Sequence, residues 1–186
     1  MFSAECSRQV SGVPQGPTGL VVEMYEKLED IHEDIVTEMG SLKGGTEVAR
    51  DTFRWWFDNG GVVWLARVNG ATAGYLWGVP GGWNGYYYGP MSPKDVALVN
   101  QETLPAFRGQ AVAPALLDHT LRILSQRGFQ RIFCAVRSWN KAGIRNVEKA
   151  RFERLNTFRE RTLFGFSVII WRLERKKRAD EGAGSR

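Results

Sequence analysis

The stretch from Asp95 to Arg137 constrains the fold of this chain more than any other. "DVALVNQETL" reads as a strand, and "LPAFRGQAVAPALL" as a tight turn that opens a helix. Val112, Leu116, Thr120, Leu121 and Leu124 mark one helical face, and Gly128 stops the helix. "RIFCAVRSW" follows, apolar on both faces as a central strand is. Such a strand–helix–strand unit pairs its strands in parallel through a right-handed crossover. Upstream, "VVWLARVNGATAGYLWGV" holds two strand-like runs around Asn69-Gly70, the pair that a type I′ hairpin turn favours. Val62, Trp64, Ala66 and Val68 alternate onto one face of it. A parallel pair beside an antiparallel hairpin predicts an α/β protein with a mixed sheet and helices on both faces.

The flanking segments supply the other elements. Thr18 is placed to cap a helix in which Val21, Met24, Leu28, Ile31, Ile35 and Met39 recur at spacings of three and four, up to Gly40. A second helix is expected from Thr46 to Phe57, with Val48, Thr52, Trp55 and Trp56 on its apolar side. "PGGWNGYYYGPMSP" reads as a long Gly/Pro/aromatic connection. "NKAGIRNVEKARF" is a short helix with Ile144, Val147 and Phe152 turned one way, and "RLNTFRE" and "FSVIIWRL" are two closing strands. A short strand is expected near Phe2–Val10, and a solvated, disordered basic tail over residues 174–186. With 186 residues, the chain fits one domain, 1–186, able to bury roughly 70% of its unfolded surface.

Composition excludes several classes. Cys6 and Cys134 make no disulfide framework, and with only His32 and His119 beside them they make no zinc site. No signal-like apolar segment opens the chain, and no apolar run reaches membrane-spanning length. The expectation is a cytoplasmic protein with no membrane partner, a monomer or a homodimer. The net charge is +5, and six Arg/Lys against three Asp/Glu fall in residues 172–186, so the body is nearly neutral. A nucleic-acid partner reached through "RLERKKR" therefore ranks last among the readings.

The opening of the middle helix carries the chemistry. The first four N–H groups of a helix lack internal partners and lie at the positive end of its dipole. Gly109, Gln110, Ala111, Val112 and Ala113 would present such groups to an anion beyond the strand end. Arg108 adds charge, and Pro114 suits a first helical turn, where its missing N–H costs little. On this stretch alone, an anion cradle and an ordinary strand-to-helix turn weigh equally.

The wider pattern resembles the GNAT superfamily of acyl-CoA N-acyltransferases. There, a V-x-P-x-(Y/F)-R-G-x-G-x-(G/A) turn leads into an L-L helix. Thr103, Pro105, Phe107, Arg108, Gly109, Ala113, Leu116 and Leu117 match it. The family's N-x-x-A-x-x-x-Y-E-K-x-G-F segment is matched by Asn140, Ile144, Glu148, Lys149 and Phe152. The resemblance runs from about residue 18 over most of the chain. It implies a central mixed sheet of six to seven strands with about four helices, and acetyl-CoA or another acyl-CoA as the bound donor. The pyrophosphate would rest on Gly109 to Ala113. The pantetheine arm would pair like an added strand beside Glu102, Thr103 and Leu104. Asn140 would reach the arm or its thiol end. Three positions depart from the pattern: Ala111 replaces a Gly and costs a methyl group of room, Val147 replaces a Tyr that serves as general acid, and Arg151 replaces a Gly.

Acyl transfer to an amine needs a polarised thioester carbonyl and a base for the amine proton. Glu102 is the acidic residue nearest the turn and the candidate base, set against a solvent-facing strand glutamate; Asp95 is the weaker candidate. A thiolate with a pKa of about 8.5 leaves without strong help, so Val147 is compatible with turnover; Tyr86, Tyr87 and Tyr88 are candidate substitutes that the sequence does not place. His119 reads as a boundary histidine, His32 as solvated, and Cys134 as a core residue. Trp83 and the three tyrosines would line an acceptor pocket with an apolar part, whereas Trp55 and Trp56 read as core. The leading expectation is an N-acyltransferase that takes a primary amine of a small molecule or protein. The alternative is a CoA-binding module with weakened catalysis.

Overall fold

In the computed structural model, which describes residues 2–5, 16–81, 91–163 and 166–173, seven strands share one sheet. In chain order the elements are β1 (Phe2–Glu5), β2 (Leu20–Tyr25), α1 (Glu33–Lys43), α2 (Thr46–Asp58), β3 (Val62–Val68), β4 (Ala71–Pro80) and β5 (Asp95–Thr103). Then come α3 (Val112–Gln126), β6 (Arg131–Cys134), α4 (Lys141–Lys149), β7 (Glu153–Arg154), β8 (Asn156–Leu163) and β9 (Phe166–Leu173). The sheet runs β2-β3-β4-β5-β6-β1-β7, and β8 and β9 pair with each other as a separate hairpin. Every neighbouring pair is antiparallel except β5 and β6, the pair joined through α3. This is the mixed α/β sheet with four helices that the sequence predicts. At the β3–β4 turn, Asn69 (φ 50°) and Gly70 (φ 85°) both lie at positive φ, as a type I′ turn requires.

The first expected helix is a correction. Residues 20–25 form an edge strand against β3, and α1 begins only at Glu33. The spacing of three and four from Val21 to Met39 runs across a strand, a 3-10 turn at Leu28–Asp30 and a helix. The alternation of Leu20, Val22 and Met24, which pack on the core, is the strand's own signal, and Val21 faces solvent. From Ile31 onward the helical period holds, and Ile31, Ile35 and Met39 are buried. Gly40 lies inside α1, and Gly44, at φ 90°, ends it.

Both faces of the sheet are covered. Trp64, Ala66, Val68 and Leu76 pack under α3 and α4, whose Leu116, Leu117, Leu121 and Val147 are buried there. Val63, Leu65, Tyr75 and Trp77 face α1 and α2. On that side Trp77 meets Phe53 at 5.5 Å and Trp56 at 5.7 Å between ring centroids. Trp56 is thus core as expected, while Trp55 is half exposed with its ring edge on Trp56. Residues 6–10 of the first expected strand and the 174–186 tail lie outside the described residues.

Candidate active site

The site grows from the one parallel pair. β5 and β6 are paired from Asp95↔Arg131 to Leu98↔Cys134, and there β6 ends while β5 runs on to Thr103. Beyond Leu98, β5 is held by β4 alone, so its other edge opens into a cleft of about 370 Å³ between α3 and α4. The pairing with β4 steps from Trp77↔Val99 to Tyr75↔Glu102, which leaves Asn100 and Gln101 opposite Leu76. That bulge puts Asn100 at φ 49°, a left-handed conformation that Asn tolerates better than most residues. Asn100 lines the cleft on one side and, on the other, a small cavity against α1 and α2 with Met39, Thr52, Trp56 and Tyr75.

At the strand end, the Leu104 N–H donates to the Ala73 carbonyl (2.9 Å), and its carbonyl accepts from the Phe107 N–H (2.9 Å). Both backbone groups of Leu104 are therefore taken. In an antiparallel ladder the neighbouring residue points its N–H and C=O the other way, so those of Thr103 face the open edge. The Thr103 carbonyl accepts from Arg108 Nε at 3.2 Å, which folds the Arg108 side chain back along the strand.

A 3-10 turn at Pro105–Phe107 leads to Gly109 at φ 79°, and Ala111 caps α3. Among the described residues, the N–H groups of Gly109 to Ala113 donate to no carbonyl. Pro114, third in the helix, has no N–H to leave unpaired. Ala111 adopts φ 61°, ψ 16°, the left-handed region, so the missing Gly also costs backbone strain of about 1–2 kcal/mol. Gln110 Nε2 donates to the Ala106 carbonyl (2.9 Å), which fixes the turn from within.

The two walls are tied by amides. Gln101 Nε2 donates to the Ala113 carbonyl (2.9 Å), and Asn146 Nδ2 of α4 donates to Gln101 Oε1 (3.1 Å). A carbonyl only accepts, so this chain of bonds fixes the orientation of both amides. On the α4 wall, Asn140 caps the helix, its Oδ1 accepting from the Gly143 N–H at 2.9 Å. A Cβ on Gly143 would stand 2.7 Å from Asn140 Nδ2, so the cap needs the glycine. Arg137 lies over the exposed Trp139 ring at the rim.

Glu102 turns to the opposite face, where its Oε2 accepts from the buried Tyr75 hydroxyl at 2.7 Å. Burial first, and then the Glu102 carboxylate, holds the Tyr75 phenol above its ordinary range. Asp95, the weaker base candidate, sits at the closed end of the parallel pair. It is fully buried and accepts from Arg131 Nε (2.9 Å), Arg131 Nη2 (2.6 Å) and the Ser92 N–H (2.6 Å). Burial alone would raise its pKa, but these hydrogen bonds outweigh burial and hold it below the ordinary value. Asp95 thus clamps the closed end of the pair and does not line the cleft. Burial lifts the Cys134 thiol to about 12, which leaves it protonated and a poor nucleophile. His119 is part-buried on α3 and lowered chiefly by that burial, and His32 is exposed beside Asp34. Trp83, Tyr86, Tyr87 and Tyr88 lie outside the described residues. No cluster of three metal-ligating side chains occurs among the described residues, and none of their helices is long and apolar enough to cross a membrane.

Three features escaped the sequence reading. The bulge at Asn100 and the Tyr75–Glu102 bond need the partner strand to be visible. The Gln101–Asn146 bond joins residues 45 apart. The sequence signal for the last was a pair of amides on the apolar faces of a strand and a helix.

The comparisons agree with this geometry. The model of the acetyltransferase (GNAT) family matches residues 23–152. A tandem GNAT protein from the clavulanic acid biosynthesis pathway superposes with a TM-score of 0.59 at 18% identity, over 82% of this chain and 48% of its own. A GNAT-family protein from Novosphingobium aromaticivorans DSM 12444 gives 0.51 at 19% identity, over 82% and 58%. The GNAT-family acetyltransferase of Streptococcus pneumoniae gives 0.55 at 14%, over 82% and 95%. The chain thus spans about half the length of the first two. No curated protein sequence matches it. The family match covers well over half of the 186 residues, and the chain belongs to the acetyltransferase (GNAT) family.

Proposed function

We propose that this chain is a cytoplasmic, single-domain N-acyltransferase that uses an acyl-CoA, acetyl-CoA by default, and a primary amine of a small molecule or protein. The observation that carries this reading is the run of unpartnered N–H groups from Gly109 to Ala113 at the point where β5 and β6 part. Five donors at the positive end of a 15-residue helix suit a pyrophosphate, with the Arg108 charge beside them. The open polar edge at Thr103 suits the amides of a pantetheine arm, with Leu104 fixing the strand end and Asn140 on the opposite wall. The donor supplies the activated acyl group.

The chain's own residues supply the remainder. Backbone N–H groups at the bulge polarise the carbonyl. Glu102, held by the Tyr75 hydroxyl, accepts the amine's proton directly or through a water. The acceptor enters from the α1/α2 face, where Glu102 and the Tyr75 hydroxyl meet and aromatic rings line a cavity of about 20 Å³ beside Asn100, room for about one water. A panel of primary amines with acetyl-CoA, read by thiol release, tests the reading: release that depends on the amine supports it, and none with any amine counts against it.

A second reading is favoured by Val147, which is buried on the cleft wall and offers no proton to a departing thiolate. On that reading the chain binds acyl-CoA without turnover, and the same assay finds binding but no amine-dependent release.

A further inference from the structure

We propose that the donor suited to this site carries a linear, uncharged acyl chain longer than acetyl, seated on the apolar floor of the β5–β6 cleft. The inference rests on the acyl-CoA reading above and deepens it. Two chemistries divide the cleft. Asn100, Gln101, Arg137 and Asn140 carry the polar groups of its rim. Its floor is Leu76, Leu98, Leu117, Cys134 and Val147, none more than 6% exposed.

Those five side chains come from β4, β5, α3, β6 and α4, so the floor is where the sheet and both helices meet. Leu98 and Cys134 form the last rung before the strands separate, which places the floor at the apex of the opening. A polar arm has partners on the Thr103 edge and none on this floor, where its amides would lose water without replacement. Methylene groups lose nothing there. The cleft of about 370 Å³ takes the thiol end of the arm along its polar rim, and the floor beneath it is five side chains from five elements, more apolar surface than one methyl group covers. Among the described residues no cation lies on the floor, and Arg137 at the rim is drawn over Trp139. An acyl group ending in a carboxylate would therefore bury an unpaired charge. The protonated Cys134 thiol fits the same apolar character.

Calorimetric titration of the full chain with CoA, acetyl-CoA, butyryl-CoA and succinyl-CoA tests this. Butyryl-CoA is expected to bind about tenfold tighter than acetyl-CoA, the gain of two buried methylenes, and succinyl-CoA to show no such gain. Val147→Phe fills the seat and brings the butyryl-to-acetyl ratio to about one. Val147→Leu, a milder change that keeps an aliphatic side chain, lowers the ratio part of the way. The ratio is read within each variant, so a general loss of binding does not imitate the effect. A wild-type ratio near one, a ratio untouched by both substitutions, or succinyl-CoA binding as tightly as butyryl-CoA overturns the inference alone. Failure of CoA itself to bind overturns the acyl-CoA reading and this inference with it.

Discussion

Residues 91–155 carry eleven Lys and Arg against five Asp and Glu, whereas residues 18–58 carry ten Asp and Glu against four Lys and Arg. The first segment builds β5, α3, β6 and α4, and the second builds β2, α1 and α2. Helices α3 and α4 cover one face of the sheet, and α1 and α2 the other. The nearly neutral body therefore divides into a basic segment and an acidic one. A basic face with a fan of N–H groups suits an anionic donor, and an acidic face over aromatic rings suits a cationic amine. The bulge at Asn100 is where the two faces communicate, because Asn100 lines a cavity on each.

The largest expected effect separates the faces by kinetics. Glu102→Gln should lower kcat about 100-fold while KM for acetyl-CoA stays within about twofold, since Glu102 points away from the donor cradle. Steady-state kinetics with both substrates varied checks this. A rise in the acetyl-CoA KM as large as the fall in kcat would mean that the two faces do not act separately.

A smaller effect tests what holds the donor half closed at its far end. Asp95→Asn should cost about 1–3 kcal/mol at pH 7, because it weakens the hydrogen bonds from Arg131 and Ser92. The folded-state pKa of Asp95 lies below its unfolded value. Its contribution is therefore present above the unfolded pKa of about 3.9 and is lost as pH falls through the folded value. Urea unfolding of both proteins at pH 7 and pH 3 should show the gap narrowing in acid. A gap of constant size would contradict the clamp.

The smallest effect concerns the cradle itself. Ala111→Gly removes about 1–2 kcal/mol of left-handed strain but adds about 0.5–1 kcal/mol of chain entropy on unfolding. The net gain is roughly 0.5 kcal/mol, or about 1–2 °C in Tm, with no rise in the acetyl-CoA KM. A fall in Tm would show that Ala111 has packing value the backbone angles do not convey.

The donor half was the more legible in the sequence. Its signals are local: a turn containing Gly109, a helix ended by Gly128, and an N-cap at Asn140 three residues before Gly143. The other half was misread where three elements imitate one helix. Val21, Met24, Leu28 and Ile31 keep helical spacing by coincidence, and only pairing with β3 reveals Leu20–Tyr25 as an edge strand. The charge division was present in the sequence all along, but it shows only when the halves are counted apart. Ala111 stands at the head of α3 as the sequence predicts, but its backbone strain was not legible, because a sequence position does not display its φ angle. Glu102 was singled out by proximity to the turn, while Tyr75 as its partner needed the register of β4 on β5.

Titration of the full chain with acetyl-CoA tests the central claim most directly, namely that the head of α3 and the parted strands form a donor site. One equivalent should bind at micromolar concentration, with affinity about tenfold weaker after Arg108→Ala and restored toward wild type by Arg108→Lys. No binding at micromolar concentration by a folded sample, or binding indifferent to Arg108, would contradict it.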